Sequence, residues 1–233
     1  MFVNILSFLC PLLLSYLLCW PVAGHAESPL CRNGQRQSPI DIVAAVKKDL
    51  PPLSFAYRPV PLQMRNDGHT IRLRIDDGGE LRIGQDTYRF EELHFHSPGG
   101  DRLVGEEFPF AAHLLHRSRS GQLLAVVLLF RRGAENPLLA SLWPKIPARN
   151  EGNKRFADNR LNVISLLPAH SDYYRYAGSL TASPCTENVT WMVMKKPLEL
   201  STAQLTQWKS RFDDNIRQAQ PLHGRVIWEG PAN

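Results

Sequence analysis

The sequence has no run of more than two consecutive basic residues; Lys47-Lys48, Arg131-Arg132 and Lys195-Lys196 are as far as clustering goes. Its formal net charge of +5 is therefore scattered. A nucleic-acid binder gathers such charge on one face, so no nucleic-acid partner is expected. Beyond residue 26 there is no apolar run long enough to span a bilayer, and no stable membrane span is expected there. Linkers, internal repeats and low-complexity tracts are also missing after Glu27, which leaves a single domain over 27–233. Nothing in the pattern marks an oligomeric state. Cysteine is scarce, with 4 in 233 residues, and two of these, Cys10 and Cys19, lie in the first apolar segment.

That segment is the first positive feature. Residues 1–23 are almost wholly apolar, and Gly24 and Ala26 place small residues where a signal peptidase reads them. The reading is a signal peptide over 1–26, cleaved after Ala26, and hence export to the periplasm or beyond the cell. The run lacks a leading Lys or Arg, and the alternative is an uncleaved anchor. Export would leave Cys31 and Cys185, an even pair that an oxidising compartment is expected to join. Closing a loop of about 150 residues contributes roughly 5 kcal/mol in the chain-entropy model.

Short strands dominate the rest. Residues 70–75, 88–96 and 111–116 alternate in the period of a half-buried strand, and 76–80 reads as a turn before the alternation resumes at 81–83. Residues 123–130 and 189–194 are continuous apolar runs, as in strands buried on both faces. Only 135–142 and 202–218 look helical, the latter through Leu205, Trp208, Phe212 and Ile216. The expected fold is mainly β (α+β), one large and mostly antiparallel sheet with a few peripheral helices.

Three histidines stand out on this frame. His94 and His96 are two apart in a strand and point to one face, while Leu93 and Phe95 point to the other. A second strand supplies His113. Three neutral imidazoles with a fourth tetrahedral position open are the ligand set of a catalytic Zn2+ rather than a structural one.

The words around them are specific. Gln37-Ser38-Pro39-Ile40-Asp41-Ile42, Leu93-His94-Phe95-His96, His113-Leu114-Leu115-His116, and Gly178-Ser179-Leu180-Thr181 with Pro184-Cys185, Glu187 and Val189-Thr190-Trp191 occur in this order. Together they resemble the α-class carbonic anhydrases, bacterial type, from about Cys31 to Trp228. The resemblance implies zinc-dependent reversible hydration of carbon dioxide to bicarbonate and a proton. It matches His94, His96 and His113 to the metal ligands, and Thr181 to the threonine that orients the attacking oxygen. His69 matches the histidine that passes the product proton to solvent, and Cys31 and Cys185 match a disulfide. Leu115, Val126, Leu180 and Trp191 match the apolar wall of the substrate pocket, and Ala182 stands where a polar residue usually lines it.

Four departures accompany the resemblance. Gly100 replaces the glutamate that normally accepts the threonine's proton, with Asp101, Glu106 and Glu107 as nearby carboxylates. Ala111 replaces the glutamate that supports the third ligand, whereas Glu92 occupies the supporting position for the first. Ala182 lacks a hydroxyl, and the aromatic N-terminal segment of the family is absent. The expectation is a slowed enzyme in which Gly100→Glu raises the rate. The alternative is a zinc protein on the same scaffold that acts as a binding module.

Overall fold

The structure, a computed structural model, describes residues 28–168 and 171–230; the expected signal segment 1–26 lies outside the described residues. Strands β1 Val60–Asn66, β2 Ile71–Arg74, β3 Asp86–His96, β4 Phe110–Ser118, β5 Leu123–Arg132, β6 Tyr173–Ser179 and β7 Glu187–Met194 form the centre. They lie in the order β1-β2-β3-β4-β5-β7-β6 within a sheet that has thirteen strands among the described residues. Asn153–Leu161 continues it past β1, and Trp228–Gly230 then Val46–Lys47 continue it past β6. Most neighbours run antiparallel; β5 is parallel to β7 and to Leu198–Leu200, and Trp228–Gly230 is parallel to Val46–Lys47. The mainly β fold with one large, mostly antiparallel sheet is therefore what the chain adopts. Among the described residues no helix is long and apolar enough to cross a membrane.

Because side chains alternate across a strand, each face of the sheet gathers its own core. Leu93, Phe95, Phe110, Ala112 and Leu114 pack into one, together with Trp143 and Trp208. Ala111, Ala125, Val127, Tyr176, Trp191 and Val193 pack into the other. The histidine triad lies on the second face. On the first, Phe110 and Trp208 meet edge to face at 5.1 Å and anchor the peripheral helices to the back of the site.

The helices are α1 Pro29–Asn33, α2 Pro137–Leu142 and α3 Thr202–Lys209. The first lies outside the expected helices. Residues 135–142 start later than expected because Asn136 caps the N-H groups of Leu138 and Leu139. The expected helix over 202–218 opens with a capping box of Ser201 and Gln204 but ends at Lys209. Phe212 still packs on Trp208, its ring 4.3 Å away, from the irregular segment after the helix. Beyond it the backbone is drawn into tertiary bonds: the Asn215 N-H donates to Ser97 O at 3.1 Å. Those contacts override the helical spacing of Ile216.

Buried His116 gives the fold a pH dependence. It is sealed on the back of β4, shares a hydrogen bond with the Tyr57 hydroxyl and stacks near Phe90. Burial depresses it to about 3. A histidine lowered in the folded state contributes stability that is full above its unfolded value of about 6.5 and is lost as pH falls towards 3. Thermal melts of metal-free protein between pH 7 and 4.5 should therefore show falling stability. His116→Gln should flatten that slope by up to about 1.4 kcal/mol per pH unit. Equal slopes in the two proteins would exclude His116 as a source.

Candidate metal centre

Strand alternation places His94 and His96 on one face of β3, and the register sets His113 of β4 directly opposite His94. The ring centroids are 5.1 Å apart for His94 and His96, 5.4 Å for His94 and His113, and 4.4 Å for His96 and His113. Each residue offers a ligand atom within 4.8 Å of the others, and all three are buried. His96 Nδ1 meets the carbonyl of Asn215 at 3.2 Å, while His96 Nε2 and His113 Nε2 are sealed from solvent with no partner among the described residues. Orphaned buried nitrogens are rare without an explanation. Burial, and then the electrostatic influence of the neighbouring His94 ring, depress His96 to about 3. Burial, and then the other two rings, hold His113 well below the usual histidine range. Both effects keep His96 and His113 in the neutral form that a metal requires.

The metal fits this donor set, and the comparisons with known proteins agree. The profile of the eukaryotic-type carbonic anhydrase family matches residues 20–230. The chain belongs to the α-carbonic anhydrase family. A carbonic anhydrase of Pectobacterium carotovorum is 37% identical over 201 residues, 85% of this chain and 81% of that one. The α-carbonic anhydrase of Photobacterium profundum superposes with a TM-score of 0.81 at 34% identity, covering 86% of this chain and 92% of its own. That of Thermovibrio ammonificans, in complex with the inhibitor sulfanilamide, has a TM-score of 0.80 at 35% identity, covering 85% and 89%.

The other residues expected in a carbonic anhydrase site divide into those the fold gathers and those it sends elsewhere. Trp191 stands nearly perpendicular to His113 with ring centroids 5.1 Å apart, and its indole N-H donates to Ser179 O. Leu115 and Leu180 pack against the same core. Val126 does not. It pairs with Leu114 and is buried in the opposite core, so its assignment to the pocket wall is corrected. The site-facing residues of β5 are Ala125, beside Leu115, and Val127, beside His113. Thr181 is half-buried in the bend after β6, next to exposed Ala182. The turn containing them is closed by the Cys185 N-H donating to Ala182 O and is tied to α1 by the Cys31–Cys185 disulfide, whose Cα atoms are 5.0 Å apart. Arg217 braces that bridge through Gln37 Oε1 and the carbonyl of Cys31.

None of the carboxylates near Gly100 is hydrogen-bonded to Thr181 among the described residues. Glu106 and Glu107 are exposed, and Glu107 pairs with Arg102. Asp101 is buried, but its Oδ1 accepts from the Ile40 N-H at 3.0 Å and the Tyr176 hydroxyl at 2.9 Å. Burial pushes it up to about 6 against those two bonds. Gly100 itself has φ +91°, and a Cβ there would meet Ile216 Cγ1 at 2.9 Å and Pro39 Cγ at 3.3 Å. The space is already filled from the far end of the chain. Ala111 sits beside His96 in the register and carries no hydrogen-bonding side chain.

Two residues escaped the sequence reading. Besides its N-H bond to Ser97 O, Asn215 bonds further groups around the site: its Nδ2 donates to His69 O at 2.7 Å and Phe95 O at 3.1 Å, its Oδ1 accepts from the Ser97 N-H, and its carbonyl faces His96. Arg72 lies opposite His94 across β2 and β3 and pairs with Glu92 at 2.7 Å. Glu92 Oε1 in turn lies 2.9 Å from His94 Nδ1, at an oblique angle. Burial works to raise Glu92, but the contacts with His94 and Arg72 outweigh it and hold the carboxyl below its ordinary range.

Proposed function

We propose that this carbonic anhydrase hydrates carbon dioxide reversibly to bicarbonate and a proton, with His94, His96 and His113 holding Zn2+. The observation that carries the reading is the buried triad with unpartnered nitrogens, in a chain of this family. Zinc bound by three imidazoles supplies a Lewis acid that lowers the pKa of water to near 7, for which carbonic anhydrase is the standard example.

The protein's own groups do the rest. Leu115, Leu180 and Trp191, with Ala125 and Val127 behind them, give a small nonpolar gas an apolar surface. The Thr181 hydroxyl orients the attacking oxygen. His69, exposed in the turn between β1 and β2, passes the product proton to solvent. Glu92 fixes the ring of His94. Turnover is slower than the family norm, because Thr181 has no carboxylate acceptor at Gly100 and His113 has none at Ala111. The segment 1–26 directs export to the periplasm or the exterior, which agrees with a disulfide between Cys31 and Cys185.

Stopped-flow hydration by the protein from Glu27, with zinc assayed on the same sample, tests the reading. Zinc-dependent hydration blocked by sulfanilamide is expected. Full zinc occupancy with no hydration above buffer would reject catalysis and leave a zinc-binding module.

A further inference from the structure

The Arg72 side chain reaches both the carboxylate that supports a metal ligand and the turn that carries His69. Its Nη1 donates to Glu92 Oε1 at 2.7 Å, and that oxygen lies 2.9 Å from His94 Nδ1. Its Nε donates to Asp67 Oδ2 at 2.8 Å. The other oxygen of Asp67 accepts the N-H groups of His69 at 3.0 Å and Thr70 at 2.9 Å. One guanidinium thus stands between two carboxylates, each of which fixes a different part of the site. The register makes this possible. Arg72 pairs with His94 across the strands, so its side chain shares the face of Glu92 and His94 and lies one turn from His69.

We propose that Arg72 is a positioning residue that locks the His94 ring and the His69 turn into one unit. The proposal deepens the carbonic anhydrase reading and rests on it for the role of His69. A planar guanidinium holds two carboxylates in fixed relative orientation, which the point charge of a lysine does not. The Arg72 side chain is 40% exposed, so its ion pairs add little to global stability and their effect is on orientation.

Two readouts separate the halves of the device, and neither is catalytic rate. The first is zinc release to a chelator from the zinc-loaded protein. The second is amide hydrogen exchange at His69 and Thr70. Glu92→Gln should speed zinc release and leave the two amides unchanged; Asp67→Asn should speed exchange about fivefold, the equivalent of one lost hydrogen bond, and leave zinc release unchanged. Arg72→Gln should do both, with zinc release about tenfold faster, as for loss of a group behind a metal ligand. Arg72→Lys keeps the charge and should still move both. If Arg72→Gln moves one readout or neither, or if Arg72→Lys behaves as the native protein, the proposal is overturned. A native protein that binds zinc and fails to hydrate carbon dioxide would refute the enzymatic reading alone, since both readouts remain measurable.

Discussion

Alanine at His94, His96 or His113, one at a time, is expected to remove stoichiometric zinc and bring hydration down to the buffer rate. Loss of a group behind a ligand already costs about 10–100-fold in affinity or activity, and loss of the ligand itself exceeds that. The fold should survive. The three rings are buried, but in the metal-free protein they bring orphaned nitrogens with them, and removing an unsatisfied polar group offsets part of the lost packing. The sharpest measurement is the shift of Tm on adding zinc. A metal that binds only the native state stabilises it by about 2.7 kcal/mol at a free concentration 100 times its Kd. The native protein should show that rise and each alanine variant should not. A zinc-dependent rise retained in His113→Ala would reject His113 as a ligand.

Gly100→Glu is expected to destabilise the protein instead of quickening it. Sequence motifs alone suggest restoring the lost glutamate, but the backbone at Gly100 is left-handed and its side-chain space is taken by Ile216 and Pro39. A left-handed non-glycine residue costs about 1–3 kcal/mol before any neighbour moves. Displacing Ile216 also disturbs the stretch in which Asn215 reaches His96 and Ser97. At about 2–4 °C per kcal/mol for a chain of this size, Tm should fall by several degrees. Zinc release should quicken as the Asn215 contacts loosen. A folded Gly100→Glu variant with unchanged Tm and faster hydration would restore the simpler view that the missing carboxylate alone limits the rate.

Local patterns were legible where chemistry and periodicity coincide. His94 and His96 share a face because strands alternate, and the pairing of Cys31 with Cys185 was expected from an even number of cysteines once the apolar first segment is read as an export signal. The face of Val126 was not legible. In the run from Leu123 to Phe130 every residue is apolar, so nothing in the pattern says which side chains turn towards the histidines; only the register with β4 decides it. Asn215 and Arg72 were hidden for another reason. A polar residue in a loop or half-exposed on a strand looks like any solvated residue until the fold brings its partners, 119 residues away for Asn215 and His96, within reach. The helix over 202–218 failed on the same ground, since tertiary bonds at Asn215 outweigh a favourable spacing.

That long reach sets an order of assembly. The three histidines leave the ribosome early, all before residue 114, whereas the carbonyl that steadies His96 and the arginine that braces the disulfide arrive only at Asn215 and Arg217. A nascent chain halted after β7 holds the three triad histidines and both disulfide cysteines yet lacks the Asn215 and Arg217 contacts that brace them. The bracing of His96 and of the disulfide is therefore complete only when the last part of the chain has been delivered and folded back over the sheet.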